Sequence, residues 1–293
     1  MAIASSQLIS HILPIWAGIC FASIGIAYQL AATRKVTPRR IFLLMAACGT
    51  ALFAVKCSSS GDLSTHAVIL GLGAGVSQYI SVRLVGRAMR LGPFSLAWCM
   101  VALNFSPVVL YAAIIQHIHQ PWTQWLAVAI AVLCCILAAL GHGSTSTTVA
   151  STRTKLSYGL LLIAILFINA LPNIGIQDLN TNAAGRGLDL FFLCMYASIA
   201  VIALFDALKH HELGHTLRHG WMPGLLAGVG SVSGMLALGA AAGRSGPAAF
   251  LISSMVTLIL PMFAAILIFH ERVTLRWIAT LVLGLIAIAL ANF

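Results

Sequence analysis

The sequence predicts an all-α polytopic membrane protein: ten transmembrane helices arranged as two inverted five-helix repeats. Three observations carry that prediction. Hydrophobic residues fill 60% of the 293 positions and charged residues only 8%, with a mean hydropathy of +1.01. A water-soluble domain carries about 25% charged residues. The apolar residues also fall in runs of about 20, the length at which a helix rising 1.5 Å per residue crosses roughly 30 Å of hydrocarbon. Finally, "LGPFSLAWCMVALNFSP" and "SGPAAFLISSMVTLILP" lie 154 positions apart, and each runs from Gly-Pro to a second proline 14 residues on.

Taken in order, the spans are expected at about 10–32, 40–57, 67–88, 93–116 and 122–141, then about 157–177, 188–208, 220–242, 246–269 and 274–292. No basic region precedes the first apolar run, so Pro14 onward reads as a retained helix and not a signal peptide. The polar stretch "GHGSTSTTVASTRTK" (Gly141 to Lys155) divides the chain into a first repeat, 1–142, a linker, 143–156, and a second repeat, 157–293. Two copies of an odd number of spans insert in opposite senses, which places a pseudo-two-fold axis in the membrane plane. Gln29 and Gln177 close helices 1 and 6. "GLGAG" (Gly71 to Gly75) in helix 3 is matched by "GLLAGVGSVSG" (Gly224 to Gly234) in helix 8, and small residues of this kind let membrane helices approach closely.

The prolines divide into two kinds. Pro93 and Pro247 are expected to open helices 4 and 9, where a missing N–H costs nothing. Pro107 and Pro261 are expected mid-span, each freeing a carbonyl one turn earlier and permitting a kink. Matching kinks on matching helices suit a hinge between two states; packing bends without motion are the alternative.

Charge sets the expected orientation. Thirteen of the sixteen basic residues fall on one side, and only Lys56, Arg186 and Arg244 share the side holding both termini. Basic loops stay in the cytoplasm, so a cell (inner) membrane protein with both termini outside is expected. The net charge of +10 is spread singly or in short clusters between apolar runs, which excludes a nucleic-acid stripe. The seven cysteines form no C-x-x-C pair, so neither zinc nor a disulfide framework is indicated. No cofactor or metal is expected.

Ionisable groups in the spans mark candidate pathways. Arg83, in "SQYISVRLVGRAMR", lies seven residues before Arg90, about 10 Å deeper along a helix. It either faces a central cavity and grips a carboxylate through two hydrogen bonds, or snorkels to the interface beside Arg87 and Arg90. Asp206 is the only carboxylate clearly within an expected span, with Lys209 three residues on as an interfacial partner. "HELGH", His211 to His215, fits the H-E-x-x-H zinc-protease pattern, so an intramembrane metalloprotease is carried as an alternative. Against it, the stretch falls in a polar histidine-rich connection and Gly214 weakens the helix it needs. A zinc measurement and the Glu212→Gln variant separate the two, since a protease fails and a non-enzyme barely notices.

Ten helices in two repeats, the Gly-Pro opening of helix 9 and the run "FHERVTLRWIATLVLGLIAIAL" (Phe269 to Leu290) resemble the drug/metabolite transporter superfamily in its EamA-like branch. His270, Glu271, Thr274 and Gly284 fill that family's pattern at the end of helix 9 and in the last helix, with His270 where glycine is usual. His117 stands where the first half should carry the matching acid. The resemblance implies no enzyme but a permease or exporter of a small metabolite, such as an amino acid or related carboxylate, working by alternating access at a midplane cavity. It also implies that helices 1, 3, 4, 6, 8 and 9 line the cavity. On those helices the candidate substrate-binding residues are Arg83, Tyr79, Gln78, Trp98, Asn104, Asn169, Asn173, Ser254 and Thr257, with Pro107 and Pro261 as hinge or gating residues. Tyr28, Gln29, Ser231 and Ser233 are further polar groups there. The expected partners are a small-molecule substrate and the lipid bilayer. Proton coupling is left open without a carrier for it, and so is the choice between monomer and homodimer. A non-transporting membrane scaffold is the third reading.

Overall fold

The computed structural model describes residues 2–34, 36, 38–60, 64–91, 94–140, 152–210, 220–245, 248–268 and 275–291. All regular structure among these residues is helical: α1 (Ala2–Thr33), α2 (Pro38–Ser60), α3 (Thr65–Leu91), α4 (Phe94–Ala102), α5 (Phe105–Ile114), α6 (Trp122–Leu140), α7 (Thr152–Ala183), α8 (Leu188–Lys209), α9 (Trp221–Ser245), α10 (Ala248–Leu267) and α11 (Leu275–Ala291). Among the described residues, seven spans are long and apolar enough to cross a membrane. They lie in α1, α2, α3, α7, α8 and α9, with the seventh formed by α4 and α5 together; shorter apolar stretches lie in α6, α10 and α11. Gly92-Pro93, Gly246-Pro247, His211 to His215, and His270 with Glu271 and Thr274 lie outside the described residues, as does most of the linker.

The outward faces are apolar. On α3 the exposed stripe runs Ile69, Leu72, Val76 and Ile80, a helical spacing that in water would be buried. Inward, α1 packs on α9 and α10, while α7 packs on α3 and on α4 and α5. Helix α2 meets α8 and α9, α3 meets α8, and α6 meets α11. The α2–α8 seam is aromatic: Phe53 sits 5.0 Å from Phe192 and stacks on Tyr196 at 5.7 Å, ring centre to ring centre.

Glycines set the closest seams. A methyl group on Gly71 would meet the Phe191 carbonyl of α8 at 2.5 Å, and one on Gly75 would strike the Met195 carbonyl and the Ser198 hydroxyl. In α9, Gly224 and Gly228 lie against α2, and Gly230 and Gly234 against α1. The expectation that these two glycine runs serve packing holds for each of these glycines but not for Gly73, where an added methyl group would meet nothing within 4 Å.

Several expected boundaries move, and two helices change most in what they position. Helix 4 is two helices, α4 and α5, with a turn at Leu103 and Asn104. Pro107 thereby becomes the third residue of α5, where the first N–H groups of a helix lack intrahelical partners in any case. The carbonyl that Pro107 strands, Leu103, accepts from Ser106 N–H at 3.1 Å instead. Pro261, by contrast, lies inside an unbroken α10, so the two prolines are not matched kinks. Helix 6 is also longer than expected, since α7 begins within the expected linker and runs on to Ala183. It stops at a tight turn where Gly185 and Gly187 adopt φ of +76° and +81°, and Gly185 N–H closes back on the Leu179 carbonyl at 3.0 Å, a helix-ending bond that favours glycine.

Candidate functional site: a cavity between the helices

Helical periodicity brings the polar residues inward. Gln78, Ser81, Val82 and Val85 share one face of α3, and Asn169 and Asn173, four apart, share one face of α7. These faces, with residues of α1, α2, α4, α8, α9 and α10, enclose a cavity of about 110 Å³. On that measure one water needs about 10–15 Å³, so the space admits a small solute.

Asn169 is the hub. Its Oδ1 accepts from Gln78 Nε2 at 3.3 Å and from Ser81 Oγ at 3.4 Å, and its Nδ2 donates to the Val101 carbonyl at 3.4 Å. Val101 lies in the last turn of α4, so an amide from α7 helps to cap the end of the interrupted helix. The Thr257 carbonyl lies four residues before Pro261, which has no N–H to give it. Trp98 Nε1 donates to that oxygen at 3.1 Å. The indole thus repairs the bond that Pro261 removes, as membrane helices require of their neighbours. Tyr28 meets the same ring edge-on at 6.1 Å, and its hydroxyl, buried against the cavity, has no hydrogen-bond partner among the described residues. Tyr196 and Ser231 hydroxyls, also on the cavity wall, pair at 2.6 Å.

Of the nine expected binding residues, Gln78, Trp98, Asn104, Asn169, Asn173, Ser254 and Thr257 line the cavity, and Arg83 and Tyr79 do not. The Arg83 expectation is corrected. Its side chain is exposed and continues the outward stripe of Ile69, Leu72, Val76 and Ile80, with Arg87 and Arg90 following on that face. One residue past Val82 is a turn of about 100° around a helix, enough to carry Arg83 off the cavity wall and leave the snorkelling alternative. Tyr79 is buried on another face of α3. No charged side chain is among the described residues that line the cavity.

The structure also adds residues. Helices α2 and α8, outside the implied lining set, contribute Phe42, Met45, Met195, Tyr196 and Ile199. Ser81 was legible one turn from Gln78. Asp206 meets His210 at 3.4 Å near the end of α8. It is not the only carboxylate within a span, because α7 carries Asp178 beyond its expected end.

The role of the indole predicts that Trp98→Phe, which keeps an aromatic ring but leaves the Thr257 carbonyl bare, lowers the unfolding free energy in lipid by about 1–2 kcal/mol. Reversible denaturation of the two purified proteins measures it.

No protein-family model and no curated protein matches the chain. A solved structure described only as "Crystal structure of protein" superposes with a TM-score of 0.64, covering 97% of this chain and 96% of that one at 14% identity. The likeness shows a shared fold along nearly the whole length of both chains.

Proposed function

We propose that the protein is a secondary permease that moves a small zwitterionic or neutral metabolite, an amino acid in the first instance, through the central cavity. The observation that carries this is the cavity itself: a solute-sized space inside an apolar bundle, where neutral amides, hydroxyls and aromatic rings are set into a wall that is otherwise mainly aliphatic and methionine side chains. An uncompensated charge in such surroundings is costly. With Arg83 off the wall, a simple carboxylate anion therefore fits less well than a solute whose charges cancel.

The architecture of the proposal is ten crossings in two inverted halves. The shorter α6, α10 and α11, with 19, 20 and 17 residues, rise about 25–30 Å, the thickness to be crossed. Exchanging α1–α6 for α7–α11 turns the α1–α9 seam into α7–α3, turns α2–α9 into α8–α3, and returns α2–α8 and α6–α11 to themselves. Such pairing is what a pseudo-two-fold axis through the cavity produces, and it supports the likeness to the EamA-like drug/metabolite transporters. On this reading the thirteen-to-three division of basic residues keeps both termini outside the cytoplasm. The Leu103–Asn104 break and Pro261 are the points where α4/α5 and α10 bend as the halves rock.

The test is a flux screen in proteoliposomes, solute by solute over the amino acids and small organic anions, with and without a pH gradient. Saturable flux of a zwitterion is expected, with Arg83→Ala retaining it. Absence of flux for every solute tried favours the scaffold reading.

A further inference from the structure

A second hollow, of about 270 Å³, lies beyond the cavity at the end of the bundle where α2 and α9 finish and α8 begins. Lys56 of α2, the glycine turn and first residues of α8, and Leu236 and Gly239 of α9 line it. It continues the cavity's own helical faces. On α8, Tyr196 lines the cavity, and Phe192 and Leu188, one and two turns earlier, line the hollow. On α9, Met235 lines the cavity and Gly239, one turn later, lines the hollow. On α2 the same face runs from Met45 through Gly49 and Phe53 to Lys56. Three rings form the partition between the two spaces: Tyr196 stacks on Phe53, and Phe53 meets Phe192.

Unlike the cavity, the hollow carries charge of both signs. Lys56 Nζ and Asp189 Oδ1 pair at 2.9 Å, with side chains 46% and 29% exposed. A pair this open to solvent contributes little by itself. A ligand bearing an acid group and an ammonium exchanges that weak pair for two charge-assisted bonds, the acid on Lys56 and the ammonium on Asp189. A ligand of one sign gains a single bond and meets the opposing charge. Of the described carboxylates at this end, Asp178 is already held by Tyr111 of α5 at 2.6 Å, Asn182 at 2.7 Å and His66 of α3 at 2.7 Å. Asp189 is the one on the hollow's wall, and Leu188, Leu190, Phe192 and Leu236 make the rest of that wall apolar.

We infer that this hollow is a second binding site, which takes a free zwitterion such as an α-amino acid with an apolar side chain. Lys56 and Asp189 set the class of ligand, and the apolar wall receives its side chain. The orientation proposed above puts the site on the outer face. Delivery from it into the cavity, past the parted rings, rests on the permease reading; zwitterion binding at the rim does not.

Equilibrium dialysis of labelled L-leucine, L-methionine and L-phenylalanine against the full chain in phosphatidylglycerol nanodiscs tests the site. Lys56→Met and Asp189→Asn should each weaken the binding at least about tenfold, the loss of one bond to a charged group. Asn169→Leu, which alters only the cavity, should leave this component in place. The N-acetyl and methyl ester forms of the same amino acids, each with one charge, should bind more weakly than the parents by a similar factor; this comparison needs no variant. Phosphatidylethanolamine, whose head group carries the same two signs, should not displace the amino acids when added to the discs. Absence of binding for all three amino acids, or binding that both rim variants leave unchanged, overturns the site. An N-acetyl or ester form that binds as well as its parent overturns the zwitterion class, and displacement by the lipid overturns a free solute as the occupant. Rim-dependent binding without flux sinks the permease and leaves this site standing, whereas flux without rim-dependent binding does the reverse.

Discussion

Asn169→Leu is expected, if the protein is the permease proposed above, to cut solute uptake at least about tenfold while the protein still inserts and folds. Hydrogen bonds between membrane helices average about 0.6 kcal/mol each, and the three made by Asn169 are long, at 3.3 to 3.4 Å. Their combined loss is about 2 kcal/mol or less, too little to unfold a bundle whose seams are closed by aromatic and glycine contacts along several helices. In the cavity the same change removes the amide that aligns Gln78 and Ser81 and puts a branched aliphatic group in its place. A tenfold loss needs only about 1.4 kcal/mol. Initial rates in proteoliposomes, set beside thermal melting of the same preparation, read the two effects separately. Full-rate uptake would remove Asn169 from the site.

Gly75→Ala is expected to be the most damaging methyl group in the chain's third helix, and Gly73→Ala to be silent. A methyl at Gly75 meets the backbone carbonyl of Met195, which cannot swing aside as a side chain can, and it also displaces the Ser198 hydroxyl; a methyl at Gly73 finds nothing within 4 Å. Overpacking of this kind costs about 1–3 kcal/mol, and α3 must then move away from α8, a helix that also lines the cavity. Replacing glycine by alanine inside a helix otherwise favours the helix by roughly 0.5–1 kcal/mol. Gly73→Ala therefore serves as a control that should melt no lower than the wild type. Equal melting of the two variants would mean that α3 and α8 are not as close as described here.

Both predictions rest on features of differing visibility in the sequence. Most of the polar groups on the cavity wall were legible, because an amide in an apolar helix demands a partner and helical spacing puts Asn169 beside Asn173. The Arg83 stripe was legible too. Counting back from Arg83 by three and four residues reaches Ile80, Val76, Leu72 and Ile69, a face too apolar for a polar cavity wall. Depth along the helix alone conceals that angle. Asp178 was harder to see, since the run Gln177-Asp178-Leu179-Asn180-Thr181-Asn182 reads as the polar end of a span. Most of its polar groups find partners within the helices: Asp178 on two other helices, the Gln177 amide N–H on Thr181 at 3.1 Å, and Asn180 on the Ile176 carbonyl at 3.0 Å.

The sequence by itself determined that the chain is a bundle of apolar helices, where most of them begin and end, and which polar residues interrupt their faces. In hydrocarbon the backbone must satisfy its own hydrogen bonds, so the helix is a local decision made by composition and length. Only the tertiary structure decided which strained or stranded group is answered by which neighbour. Trp98 answers the carbonyl bared by Pro261, Asn169 the end of α4, and His66 and Tyr111 the carboxylate of Asp178. Those pairings depend on the rotation and separation of helices far apart in the chain, which side-chain packing fixes and no local pattern encodes.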